Sequence, residues 1–181
     1  MDFLGPADSD ANTMYWLVTF VTHNSRVSDR MRRFGVKPGV ATILPANDQV
    51  LIAKALAQTI RTHSLAVPAF NVLPDHVHII IAADSESELA EQVRRLKGYS
   101  AYVFRKSHNL VGSGHVWAEK FNRRPIRNAD SLRSMLGYVS ENHVKHAARW
   151  GPGIEKTWIE RIRPIVESAC GPYTAGLSEV L

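Results

Sequence analysis

The run from His76 to Ala83 constrains the fold more than any other segment. Its sequence, His-Val-His-Ile-Ile-Ile-Ala-Ala, holds no Asp, Glu, Lys or Arg and follows a Pro74-Asp75 turn signal. A short apolar run rich in β-branched residues reads as a strand. Residues two apart in a strand share a face. Val77, Ile79 and Ile81 therefore face one layer as core, and His76 and His78 project side by side from the other.

The flanking segments fall into an order around this strand. Residues 14–23 hold Tyr15, Trp16, Leu17, Val18, Phe20 and Val21 and read as a first strand. Residues 25–46 form a basic loop. Asn47 or Asp48 caps a helix to about His63, with Ile52, Leu56 and Ile60 as its buried stripe. Residues 67–73 are a second strand, near a sheet edge because Pro68 lacks an N–H. Ser85 or Ser87 starts a helix to about Lys106, with Leu89, Val93, Leu96 and Val103 as its stripe. Residues 109–114 are a loop, and 115–126 form a fourth strand or an irregular hairpin. Asp130 or Ser131 caps a last clear helix to about Trp150, which Gly151-Pro152-Gly153 ends. The result is an α+β split βαβ sandwich with an added C-terminal helix. It divides as a loose leader (1–13), a domain (14–150) and a tail (151–181) made of a short helix and a loose end.

Composition narrows the setting. No apolar run approaches the roughly 20 residues of a membrane span, and the N-terminus lacks the pattern of a secretory signal. Cys170 is the one cysteine, so no internal disulfide forms. These features fit a cytoplasmic protein. Lys and Arg number 22 against 17 Asp and Glu, a net charge of +5. The basic residues cluster: Arg94, Arg95, Lys97, Arg105 and Lys106 in one run, and Lys120, Arg123, Arg124 and Arg127 in another. Such runs suit a polyanion, with Tyr99 and Tyr102 placed to stack on unpaired bases. A solvated helix face with packed tyrosines is the plainer alternative.

Three features bear on chemistry. The paired imidazoles of His76 and His78 can chelate one metal ion, or sit hydrogen-bonded on a sheet surface. Position 80 is Ile, which excludes a third histidine in the same row. On the last helix, Leu132, Met135, Leu136 and Val139 form an apolar arc, and His143 falls within it as a packing residue. Tyr138 and Asn142, four apart, stack at its margin. A tyrosine there commonly buries its ring and wets its hydroxyl. Asp75 is the one acid near the histidines, and strand alternation points it to the opposite face, which leaves a zinc hydrolase without a base.

Taken together, these stretches resemble the single-tyrosine HUH transposases, most of all the REP-associated tyrosine transposases. The likeness is carried by Tyr15-Trp16-Leu17-Val18-Thr19-Phe20-Val21-Thr22-His23-Asn24 and by Leu73-Pro74-Asp75-His76-Val77-His78-Ile79-Ile80-Ile81. Leu96-Lys97-Gly98-Tyr99-Ser100, Val116-Trp117, and Tyr138 with Asn142 complete it. The resemblance implies a ferredoxin-like, RRM-like sandwich with an antiparallel sheet, its added helix carrying the tyrosine. It implies Tyr138 as nucleophile and His76, His78 and Asn142 as ligands of Mg²⁺ or Mn²⁺. The implied reaction cuts and rejoins single-stranded DNA at hairpin or palindromic repeats through a 5′-phosphotyrosine. The implied protein acts at the nucleoid, as a monomer or a homodimer. Arg94, Lys97, Tyr99, Arg105, Lys106, Arg123, Arg124 and Arg127 are then the candidate DNA contacts. The competing expectations are a catalytically idle hairpin or single-strand binder of the same fold, and a replication-initiating nicking protein.

Overall fold

A computed structural model describes residues 14–27, 29–37, 39–110 and 115–170. The expected leader, most of the 109–114 loop and the end of the tail lie outside the described residues. Strand β1 (Met14–Val21) leads through a short helix α1 (Asp29–Arg33) and helix α2 (Ala46–Thr62) to strands β2 (Ala69–Val72) and β3 (His76–Ala83). Helix α3 (Glu86–Ser107) and strand β4 (Asn122–Ile126) follow. The four strands form one antiparallel sheet in the order β2-β3-β1-β4. That order, with α2 and α3 as the crossovers, is the split βαβ sandwich expected from the sequence. β2 is an edge strand, as Pro68 predicts.

β1 and β3 pair over their full length, from Met14 opposite Ala83 to Val21 opposite His76. This register sets the two faces. Trp16, Val18, Phe20, Val77, Ile79 and Ile81 enter the main core with α2 and α3. Ile52, Leu56 and Ile60 supply the α2 stripe as expected. On α3 the stripe is Leu89, Val93, Leu96 and Phe104; Val103 is only half-buried. The row advances by four residues from Leu96 through buried Ser100 to Phe104. Ser100 fits there because its hydroxyl donates to Leu96 O at 2.7 Å and accepts from Trp117 Nε1 at 3.0 Å. Ser85 caps α3, its Oγ accepting from Glu88 N at 3.2 Å.

The C-terminal region differs from expectation in two ways. The single helix predicted to run to Trp150 is two helices, α4 (Ala129–Ser140) and α5 (Asn142–Trp150). Asn128 is the cap of α4, its Oδ1 accepting from Ser131 N at 2.8 Å. Glu141, at φ −96° and ψ 2°, breaks the helix. The bend turns His143 onto Trp158, ring centroids 5.3 Å apart and nearly parallel, so His143 is the packing residue expected. The segment read as a short helix and loose end is helical to Cys170: α6 (Gly153–Thr157), a π-helical turn (Trp158–Ile162) and α7 (Arg163–Cys170). Trp158, Ile162, Val166 and Cys170 recur every four residues and join the main core. α4 covers the other face of the sheet, packing Leu136 and Val139 on Ala69, Ile80 and Ile126.

Candidate active site

The α4 face of the sheet carries a polar row. Asn71, His78, Thr19 and Asn122 lie opposite one another across β2, β3, β1 and β4. Asn71 is buried and its Nδ2 donates to Val139 O at 2.9 Å, tying the row to α4. His78 Nδ1 meets Thr19 Oγ1 at 2.7 Å. His76 Nδ1 lies 2.5 Å from Asp75 Oδ1. Both rings are thus held at Nδ1, and their Nε2 atoms converge to 3.1 Å.

Asp75 does not point away as strand alternation predicted. It lies in the turn before β3, where alternation has no force. Its carboxylate is buried, with Arg149 of α5 at 3.2 Å and Arg26 at 3.9 Å from Oδ2. Burial alone would raise its pKa. The His76 hydrogen bond and the charges of His76, Arg26 and Arg149 outweigh that and lower it. An ionised Asp75 accepts from His76 Nδ1–H, which turns His76 Nε2 toward His78. Burial, followed by the neighbouring His76 and His146, pushes His78 down from the usual 6.5 to about 3. His78 is therefore a neutral ring at neutral pH, with a lone pair to give.

Tyr138 comes from α4 to this pair. Its hydroxyl is 3.4 Å from His78 Nε2, and its ring packs edgewise on the His78 ring at 5.3 Å. Lys145 of α5 places its ammonium 4.5 Å from the centroid of the Tyr138 ring. His146 packs on His76 at 4.9 Å. Asn142 begins α5 and is buried, and neither of its amide atoms has a hydrogen-bond partner. Because Glu141 breaks the helix, Tyr138 lies on α4 and Asn142 begins α5, rather than both lying on one helix as the four-residue spacing assumed.

Among the described residues, no cluster of three or more His, Cys, Asp and Glu side chains could hold an ion. A metal here needs the histidine pair with an amide or with substrate oxygens. The pair is suited to that. Two Nε2 atoms 3.1 Å apart subtend roughly a right angle at an ion about 2.1 Å from each. Each ring is fixed through its other nitrogen, as metal-binding histidines generally are. The unsatisfied Asn142 amide lacks the partner a buried polar group needs.

The chain matches the sequence model of the IS200-like transposases over residues 41–142, more than half of its length. It belongs to that family. The match runs from before α2 to Asn142 and so takes in His76, His78, Tyr138 and Asn142 of this transposase domain. A solved REP-associated tyrosine transposase bound to a REP hairpin is similar at 20% identity and a TM-score of 0.48, covering 81% of this chain and 74% of that one. A candidate transposase from Deinococcus radiodurans R1 is similar at 18% identity and a TM-score of 0.42, covering 78% of this chain and 97% of that one. No curated protein sequence matches the chain. No helix among the described residues is long and apolar enough to cross a membrane.

The candidate DNA contacts of this transposase domain separate into two groups. Arg94 makes paired hydrogen bonds to Glu91 at 2.7 and 2.8 Å, and Arg95 reaches the same carboxylate at 2.8 Å. Hydrogen bonds from Arg94 and Arg95 hold the Glu91 carboxyl down at about 2. Lys97 donates to Ala118 O and Glu119 O, both at 2.8 Å, and burial lowers its pKa. Lys97 thus fastens the 115–121 segment. Arg123 pairs with Glu86 at 2.5 Å. Tyr99 and Tyr102 are exposed and stacked at 6.3 Å, with Lys106 over Tyr102, and Arg105 is half-buried beside them. Arg124 and Arg127 are exposed at a groove of about 740 Å³ beside α4. Sequence reasoning missed Thr19, Lys145, His146 and Arg149. Thr19 was legible only once the β1–β3 register was known.

Proposed function

We propose that this chain is a metal-dependent strand transferase that cuts and rejoins single-stranded DNA at hairpin or palindromic sites through a 5′-phosphotyrosine. The observation that carries the reading is the convergence of Tyr138 Oη on His78 Nε2, itself 3.1 Å from His76 Nε2. The hairpin specificity rests on the resemblance of the motifs to the REP-associated branch.

His76 and His78 would hold the ion through Nε2, with Asn142 as the amide ligand. Mg²⁺ prefers oxygen ligands, so two imidazoles suit Mn²⁺ at least as well. Bound there, the ion supplies positive charge to the scissile phosphate as charge builds in the transition state. Asp75 and Thr19 keep the two rings in register. Tyr138 Oη attacks phosphorus; the new bond joins the tyrosine to the 5′ side, and the bond to the 3′ oxygen breaks. The phenol loses one proton and the leaving 3′-OH gains one. The covalent ester keeps the bond energy, so the same strand or another can be rejoined without a nucleotide cofactor.

The test is covalent capture. The protein is mixed with labelled single-stranded DNA spanning the repeats beside its own gene and Mn²⁺ or Mg²⁺, then run on a denaturing gel. The expected result is a labelled protein band that chelator and Tyr138→Phe both abolish. Tight hairpin binding with no adduct from the wild-type protein would instead make it a binding protein of the same fold.

A further inference from the structure

Two cavities join along the exposed flank of α4. The first, about 740 Å³, lies between Arg124 and Arg127 of the β4 end and Ser134 of α4. The second, about 500 Å³, shares Ser134 with it and reaches Arg133, Tyr138 and Lys145. They form one groove from the edge of the sheet to the phenol. Strand alternation explains its cations. Ile126 lies in the α4 cluster, so Arg124, two residues earlier, faces the same side, where it pairs with Leu17. Arg123 faces the other side and is held by Glu86.

Three of the five basic side chains on α3 are already held, while Arg105 and Lys106 have no acidic partner among the described residues. Arg94 and Arg95 are held by Glu91, and Lys97 by two carbonyls. α3 also packs on the opposite layer of the sheet from Tyr138. Arg124 and Arg127 have no acidic partner among the described residues. Of the two acids beside the groove, Asp130 is paired with Arg133 at 3.1 Å. The positive balance lies at the outer end, where Arg124 and Arg127 face only Asp130; farther in, Asp130 and Glu141 match Arg133 and Lys145. The inner part is an open depression of about 500 Å³ beside the Tyr138 phenol.

We propose that the α4 groove carries the single-stranded flank of the DNA substrate, with Arg124 and Arg127 gripping phosphates at its mouth. Arg133 and Lys145 then line the strand's approach to Tyr138. This rests on the strand-transferase reading above and selects, from the candidate DNA contacts, Arg124 and Arg127 over the residues of α3.

The experiment measures binding rather than cleavage. The full chain is titrated by fluorescence anisotropy into two labelled hairpins, one bare and one carrying a single-stranded flank of about ten nucleotides, across a salt series. Arg124→Gln/Arg127→Gln is compared with Arg105→Gln/Lys106→Gln, with circular dichroism to confirm folding and Arg124→Lys/Arg127→Lys as the charge-keeping variant. The expected result is roughly tenfold weaker binding of the flanked hairpin by the α4 variant. Its salt slope should fall by about 1.4, or about 0.7 per cation on single strands. The bare hairpin and the α3 variant should stay within about twofold of wild type, and the Lys pair should restore the slope. Equal losses on both hairpins, or a larger loss in the α3 variant, would overturn the groove while leaving the function reading in place. A wild-type protein that binds neither hairpin would overturn both.

Discussion

The two faces of the sheet are built from the same strands and do opposite work. From β3, Val77, Ile79 and Ile81 go to the face under α2 and α3, and Ile80 goes to the face under α4 along with both histidines. The first face closes over a continuous apolar core that α7 extends with Val166 and Cys170. The second packs Ala69, Ile80, Ile126, Leu136 and Val139 and gives the rest of its area to the row of Asn71, His78 and Thr19. Apolar burial stabilises by about 25 cal/mol per Å², so the first face supplies most of the folding free energy. Buried polar groups stabilise little beyond meeting their own desolvation. Their yield on the second face is orientation: each hydrogen bond there fixes a side chain that meets Tyr138 or its neighbours.

This division predicts which substitutions unfold the protein and which disable it. The largest effect on stability is expected at Ile79, fully buried on the α3 face. Ile79→Ala should cost about 3 kcal/mol in a denaturant titration, with metal binding intact where the variant is folded. Next comes Asp75→Asn, which keeps a hydrogen-bond acceptor for His76 and removes the charge. Mn²⁺ affinity by calorimetry should fall about tenfold; unchanged affinity would blur the boundary between the faces by making Asp75 purely structural. Asn128→Ala removes the cap of the helix that carries Tyr138. A loss of about 1 kcal/mol is expected, measured by thermal melting.

The smallest effect concerns Cys170, in the core against which α7 packs. Burial pushes its thiol from 9.0 up to about 12. The unfolded thiol loses its proton first as pH rises, so the thiol's share of stability is full below 9.0 and is lost toward 12. The stability advantage of wild type over Cys170→Ala should narrow across that window. Alkylation near neutral pH should be slow until α7 unfolds, because the thiolate is the reactive form.

How much of this was legible in the sequence follows the same division. Period-two and period-four patterns are local, and they placed β3, the α2 stripe and the order of elements along the chain correctly. The alternation in β3 also put His76 and His78 on one side. The pattern of Trp158, Ile162, Val166 and Cys170 was equally local and was overlooked, hidden behind Gly151-Pro152-Gly153. What the sequence could not display depends on register and on bends. Thr19 meets His78 only because Val21 lies opposite His76. Tyr138 and Asn142 lie on two helices only because Glu141 adopts a non-helical conformation. The charge runs misled for a related reason. Arg94 and Arg95 look free of acid until Glu91, one helical turn earlier, folds onto them.

The central claim is that chemistry lives on the α4 face at Tyr138 and not among the exposed aromatic residues of α3. The most direct measurement is a peptide map of the trapped protein–DNA adduct by mass spectrometry. The account predicts the nucleotide mass on the peptide that contains Tyr138. A nucleotide mass on the peptide holding Tyr99 and Tyr102, or an adduct that survives Tyr138→Phe, would contradict it.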